Sequence, residues 1–476
     1  MPDFLHQNVL VAGLGGRGRA AGLLLRRRGA RVVAVDDADT PRLRENTAPL
    51  RAEGIEVKLG ATTAPDRPFD LAVVTPGLAP SSPLFRAIVA RKIPVISELE
   101  LGWRLVNCLT VAITGTNGKS TTSRLIETIL RAEGRRLLVA GHRERPLAGV
   151  VETSRELDFL LLPAKAQQLE FTEYFRPSVA VLLNADPDHL DRYASPDEYL
   201  RALGRVFRQQ QPFDWAIIQH EAHARLAALR VPLPSKVITF SATDARADLY
   251  LDRSLILSRL PNWEGPLLDT TQCALRGAGN AENLMAALAA GRALRVPLER
   301  MAEAVRAVPP APHCLEPVAT HRGVAFINDA KATNPAALAH ALRSLPPAPG
   351  GRPNVWLLAG GRGKGLAYHD VGPLLAQRVK GVFLFGEEAE NLRAAWGLFV
   401  PCTPVASLLE AVNEAVRHAS EGDVILLSPA CSSFDEFRDY QQRGEVFCQA
   451  VKSICGGGPD ASPNGKGGAG TAAPPE

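Results

Sequence analysis

The sequence has few lysines, few cysteines and no long apolar run, and each shortage excludes something. Its 476 residues hold 10 Lys against 44 Arg. Genomic base composition accounts for that bias, and each Lys that falls in a motif carries more information for it. The seven cysteines (Cys108, Cys273, Cys314, Cys402, Cys431, Cys448 and Cys455) are odd in number and irregularly spaced. They make neither a disulfide framework nor paired zinc motifs, which points to a reducing, cytoplasmic setting. No apolar run reaches roughly 18 residues, so no membrane insertion is expected. The first residues, Met-Pro-Asp-Phe-Leu-His-Gln, lack a basic region followed by an apolar stretch, so no secretory signal is expected. A net charge of +4, scattered along the chain, gives no reason to expect a nucleic-acid partner.

The chain is too long for one core, so two or three domains are expected. Short apolar runs alternate with helical segments, the mark of parallel βαβ units. Strands are expected at Asn8–Ala12, Arg31–Val35, Leu71–Thr75, Leu109–Thr114, Val179–Asn184, Trp215–Gln219, Val324–Asn328, Val355–Ala359, Gly381–Phe385 and Val424–Ser428, with a helix over Arg19–Arg28. The fold class is α/β, with three domains, each a mostly parallel sheet flanked by helices: Rossmann-like, phosphate-loop and Rossmann-like. Boundaries fall near 106 and 310, giving 1–106, 107–309 and 310–455. The segment 456–476 is Gly-, Pro-, Ala- and Ser-rich and is expected to be disordered.

Two glycine-rich segments follow expected strands. Gly13-Leu14-Gly15-Gly16-Arg17-Gly18 fits GxGxxG, with Asp36 and Asp37 closing the next strand. Such a turn lets backbone approach a pyrophosphate at a helix N-terminus. Thr114-Gly115-Thr116-Asn117-Gly118-Lys119-Ser120-Thr121 is the stronger signal. Its amides can cradle phosphates, Lys119 can reach the β/γ oxygens, and Ser120 can ligate Mg²⁺. Ile113 stands where the usual GxxxxGK[ST] has its first Gly.

This shorter loop resembles that of the Mur ligases and folylpolyglutamate synthetases. Further motifs narrow the resemblance to Mur ligases of the UDP-N-acetylmuramoyl-L-alanine:D-glutamate type. They are Asn328-Asp329-Ala330-Lys331-Ala332-Thr333-Asn334, Leu427-Ser428-Pro429-Ala430-Cys431-Ser432-Ser433 with Gln442-Arg443-Gly444, Asp188-His189-Leu190-Asp191-Arg192 after Asn184, Gly360-Gly361-Arg362-Gly363-Lys364-Gly365, Thr75-Pro76-Gly77, and Glu98-Leu99-Glu100-Leu101. The resemblance implies ATP and Mg²⁺ as cofactors, and UDP-N-acetylmuramoyl-L-alanine and D-glutamate as partners in peptidoglycan precursor synthesis, with the chain as a monomer. It implies catalytic roles for Lys119, His189 and Lys331. ATP would meet Gly115, Thr116, Asn117, Gly118, Lys119, Ser120, Thr121, Asn280 and Asp329. The UDP-sugar would meet Gly15, Gly16, Arg17, Asp36, Thr75, Pro76 and Gly77. D-Glutamate would meet Thr333, Lys364, Ser433 and Tyr440, and the metal Ser120 and His189.

The chain departs from the family's pattern around the metals. Pro163 stands at the metal-binding Glu, Lys165-Ala166 at a Ser pair, and Leu203 at a Lys that carries a carbamate. Gly279 replaces a His, and Cys314 an Arg. Leucine offers no oxygen to a hard cation, and Glu170, Asp186 and Asp188 are the acidic residues left to compensate. Two functions follow: an ATP-dependent amide-forming ligase, or a catalytically impaired relative that binds nucleotide or UDP-sugar as a scaffold.

Overall fold

The computed structural model describes residues 4–346 and 348–456. The segment 457–476, most of the stretch expected to be disordered, lies outside the described residues; Gly456 closes the last helix, Tyr440–Gly456. Three separate sheets carry the fold, as a three-domain α/β chain requires. The first runs Glu56–Lys58, Arg31–Val35, Asn8–Ala12, Leu71–Val74, Val95–Ser97, all parallel. In the second, Trp215–Gln219, Val179–Leu182, Leu109–Thr114, Phe159–Pro163 and Leu137–Val139 lie side by side in parallel. Its other edge continues through Lys236–Ser241 and Leu249–Asp252 to antiparallel Leu255–Ser258 and Gly265–Asp269. The third sheet runs Glu316–His321, Val324–Asn328, Val424–Ala430, Val355–Gly360, Val379–Phe385, Cys402–Pro404; only its first pair is antiparallel.

The described chain forms two compact units. The first reaches Ala311 and takes in Ala339–Pro346 and Lys364–Ala367; the second holds Pro312–Leu338, 348–363 and the residues from Tyr368 on. Both faces of the central sheet are covered, as its parallel strands demand. Val111 and Ile113 point into one apolar cluster with Leu125, Ile126 and Ile129 of the helix Lys119–Ala132. Ala112 points into the other, with Leu160, Leu162 and Leu203. The first sheet alternates likewise, Val9 and Val11 on one side, Leu10 and Ala12 on the other.

Several expected element ends move by one to three residues, and three of them have a local cause. The first helix begins at Gly16 rather than Arg19, because the glycine turn already has helical geometry past Gly15. The strand from Leu71 ends at Val74, where the Thr75 hydroxyl turns to donate to Gly13 O at 3.3 Å. The strand from Val179 ends at Leu182, which releases Asn184 to bind the phosphate loop.

Candidate active site

Parallel strands deposit their C-terminal loops along one sheet edge, where α/β proteins bind ligands. The strand Leu109–Thr114 leads into the loop Gly115–Gly118 and on into the helix from Lys119. Asn184, from the neighbouring strand end, holds that loop on both sides: Asn117 N–H donates to its Oδ1 at 2.8 Å, and its Nδ2 donates to Asn117 O at 3.3 Å. Thr116 Oγ1 donates to Asp186 O at 2.7 Å. Gly118 sits at φ 86°, and a Cβ there would lie 2.3 Å from Asn283 Oδ1. Asn283, in the helix Ala278–Ala293, also accepts from Thr122 Oγ1 at 3.1 Å and donates to Asn280 Oδ1 at 3.2 Å. The Lys119 ammonium donates to Gly115 O and, at 2.9 Å, to Thr116 O. Ser120 is exposed in the first helical turn and Thr121 half-buried.

Across the loop, His189 stands at φ 55°, its ring 3.9 Å from Asp188 Oδ2 and 4.0 Å from Asp191 Oδ1. Burial pushes its pKa down to about 4 against the pull of Asp188, so the ring is neutral near pH 7 and has a lone pair to offer. Asp188 accepts the Lys364 ammonium at 3.1 Å and lies below the ordinary carboxylate range. Lys364 therefore falls in the first unit, whereas Thr333, Ser433 and Tyr440 fall in the second.

The glycine turn of the first sheet has a different build. Asp36 accepts Leu14 N–H at 2.5 Å and Ala38 N–H at 3.0 Å, so its carboxylate fastens the turn. Gly15 and Gly77 border open space, and the helix from Gly16 has no side-chain cap, leaving its first amides available to an anion. Arg17 donates to Gly141 O at 3.1 Å, with its Nε 4.0 Å from Glu98. A cavity of about 300 Å³ beside Gly16 is walled by Arg19, Arg27, Arg143 and Arg145, with Glu144.

In the second unit one buried side chain gathers three motifs, a role the sequence did not reveal. Arg443 donates to Ala330 O at 2.9 Å, Cys431 O at 3.0 Å, Ser432 O at 3.3 Å and Gly360 O at 3.4 Å. The only cue was the Arg-Gly pair itself. Asp329 is buried, accepts Ser428 Oγ at 2.9 Å and Leu315 N–H at 3.1 Å, and burial raises its pKa to about 7. Lys331 N–H donates to His313 O at 3.2 Å, and the His313 ring meets Tyr440 edge-on at 6.3 Å. Ser433 is buried and Thr333 half-buried. In the first unit, the His340 ring lies over Gly279, where a Cβ would come 2.3 Å from Cε1. Gly279 as the second residue of the helix Ala278–Ala293 was the available signal.

Magnesium needs about six oxygens in near-octahedral order and keeps several waters. The exposed Ser120 hydroxyl, beside a loop built for phosphates, fits one such ion held chiefly by nucleotide oxygens. A second ion has no fitting donor set. Pro163 ends its strand with no side-chain donor, and Leu203 is fully buried. Glu170 is taken by Arg192 Nε at 2.9 Å and by the Tyr193 hydroxyl. Among the described residues no group of three or more His, Cys, Asp or Glu could hold a metal ion.

Comparison with known proteins agrees with this layout. The family model described as Mur ligase middle domain matches residues 113–291, and that of the Mur ligase, glutamate ligase domain, residues 315–431. The UDP-N-acetylmuramoylalanine–D-glutamate ligase of Acidobacterium capsulatum is 39% identical over 451 residues, 94% of this chain and 96% of that one. The ligase of the same name from Koribacter versatilis is 34% identical over 456 residues, 95% and 98%. Of solved structures, a pseudomurein peptide ligase type C from Methanothermus fervidus aligns at a TM-score of 0.59 and 15% identity, over 94% of this chain and all of that one. The UDP-N-acetylmuramate-alanine ligase of Thermotoga maritima aligns at 0.56 and 19%, over 94% and 100%. These likenesses speak for the fold alone. With identity of this order running nearly end to end, the chain belongs to the Mur ligase family, among its UDP-N-acetylmuramoylalanine–D-glutamate ligases.

Proposed function

We propose that this chain is an ATP-dependent ligase that joins D-glutamate to UDP-N-acetylmuramoyl-L-alanine in peptidoglycan precursor synthesis. The observation that carries the reading is the end-to-end likeness to ligases of that name. The phosphate loop gives it a mechanism. A carboxylate oxygen of the UDP-sugar substrate attacks the γ-phosphorus, the bond to the β-phosphate oxygen breaks, and its electron pair leaves with ADP. The D-glutamate amine then attacks the acyl carbon and loses a proton, and the C–O bond to phosphate breaks to release inorganic phosphate. Little covalent work falls to the protein, so positioning and charge stabilisation dominate.

Gly115–Thr121 hold the triphosphate, with the Lys119 ammonium moving from the loop carbonyls onto the β/γ oxygens. Ser120 and His189 would hold a magnesium ion, which would neutralise phosphate charge. Asn280 and Asp329 hold the rest of the nucleotide. Gly15, Gly16, Arg17, Asp36 and Thr75–Gly77 seat the UDP-sugar. Thr333, Lys364, Ser433 and Tyr440 hold the carboxylates of D-glutamate, and Lys331 serves the reacting groups. Segments 1–106, 107–309 and 310–455 act as substrate, nucleotide and glutamate domains of a cytoplasmic monomer. The test is phosphate release from ATP, Mg²⁺, UDP-N-acetylmuramoyl-L-alanine and D-glutamate. Release that requires both substrates is expected; nucleotide binding without turnover would overturn the reading in favour of a binding scaffold.

A further inference from the structure

Two loops flank the phosphate loop, one from each neighbouring strand. The loop after Val179–Leu182 brings the acidic group Asp188. The loop after Phe159–Pro163 brings none. Thr114 Oγ1 donates to Ala164 O at 2.9 Å, and Ala164 N–H donates to Ile113 O at 2.9 Å, which fixes this strand end against the root of the phosphate loop. The next residue is Lys165, at the N-cap of a short helix anchored by Gln168, whose Nε2 donates to Gly141 O at 2.9 Å. Gly141 O also accepts Arg17, so Arg17 shares one carbonyl with Gln168, whose Oε1 in turn accepts Lys165 N–H at 3.1 Å.

Lys165 is itself exposed to solvent at this strand end. The charges that act on it are Arg17 and Lys364 on one side of the balance, Asp188 and Glu144 on the other. Asp188 is already paired with Lys364. Desolvation first, then the two cations, hold the Lys165 ammonium below its ordinary range. Arg17 faces Glu98 and Lys364 pairs with Asp188, whereas Lys165 forms no ion pair among the described residues. Transfer of a phosphoryl group onto a carboxylate brings two anions together, and cations beyond the phosphate-loop lysine must offset them.

We propose that Lys165 is a fixed cation of the reaction, contacting the phosphoryl group as it moves to the substrate carboxylate, and that the chain works with a single divalent ion. The proposal rests on the ligase reading for its substrate and on the misfit of a second metal for its charge argument. Lys165 makes and breaks no bond and moves no proton; it stays an ammonium throughout. Asp188 and Glu144 favour its charged form against burial and the neighbouring cations, and Pro163 and Leu203 offer no oxygen ligand to a competing ion.

The test uses the full-length protein and two readouts. First, Mn²⁺ is titrated against protein saturated with a non-hydrolysable ATP analogue and UDP-N-acetylmuramoyl-L-alanine. One bound ion per chain is expected; two would overturn the proposal. Second, in Lys165→Ala kcat is expected to fall about 100-fold while KM for ATP stays within about threefold, with Lys165→Arg recovering part of the loss. A Lys165→Ala protein with kcat near that of the parent would overturn it. If Lys165→Ala does not fold, Lys165→Arg and the ion count decide. Absence of D-glutamate-dependent phosphate release in the parent protein would sink the ligase reading instead, and the ion count would still judge the single-ion claim.

Discussion

Two neighbouring strand ends on one sheet have opposite characters. After Leu109–Thr114 the chain is a polar lattice: Asn184 and Asp186 O hold the loop, and two of its amides, Thr116 N–H and Asn117 N–H, are taken by Asn184. After Phe159–Pro163, and in the helix Pro196–Gly204 that covers that side, the side chains are Pro163, Ala164 and Leu203, with one ammonium among them. The first end is made for a triphosphate. The second has given up oxygen donors and kept positive charge. On the proposal made above for Lys165, charge compensation and metal ligation are separable.

The sharpest way to break this comparison is at the polar end. Lys119→Ala should lower kcat by about 10²–10³-fold, read as phosphate release, because it removes the cation nearest the transferring group. At the apolar end, Leu203→Lys should gain no activity even with added bicarbonate. Leu203 is fully buried among Tyr199, Leu200, Phe207 and Leu226, and an ammonium there should cost roughly 3 kcal/mol or more of stability, measured by denaturant unfolding. A stable Leu203→Lys protein with raised kcat would erase the contrast. Gly118→Ala should weaken ATP binding by about tenfold in a calorimetric titration, since φ 86° and Asn283 both resist a Cβ and the strained loop must shift.

The smallest effect concerns Glu98, which faces Arg17. Glu98 is buried, accepts Ala148 N–H at 2.8 Å and faces Arg17; burial raises its pKa to about 7. Its folded-state pKa thus exceeds the unfolded value, so the folded state binds the proton more tightly. The stability this lends is full below the unfolded pKa of about 4.5 and is lost as pH rises to about 7. Glu98→Gln should flatten that decline in urea midpoints measured between those pH values. An unchanged slope would place the proton elsewhere, on Glu282 or Asp329, whose pKa values also rise to about 7.

Much of the layout was legible in the chain. Leu109–Thr114 is a continuous apolar run ending in Gly-Thr-Asn-Gly-Lys-Ser, and such a run has few alternatives to a buried parallel strand feeding a phosphate loop. The Asp-Ala-Lys-Ala-Thr-Asn and Ser-Pro-Ala-Cys-Ser-Ser segments stand at the ends of the strands Val324–Asn328 and Val424–Ala430. Pro163 and Leu203 were visible as departures, because the identity of a side chain fixes whether it can ligate.

Tertiary structure alone decided which polar groups were already committed. Asp36 reads as a contact of the UDP-sugar, but each of its oxygens already accepts a backbone N–H, from Leu14 and Ala38. Glu170 reads as a spare metal ligand but is held by Arg192 and Tyr193. Arg443 reads as half of an Arg-Gly pair but ties three motifs by their carbonyls. Local sequence determines a group's chemistry and the strand or turn that carries it. Its availability depends on partners scores of residues away, and those are chosen by packing.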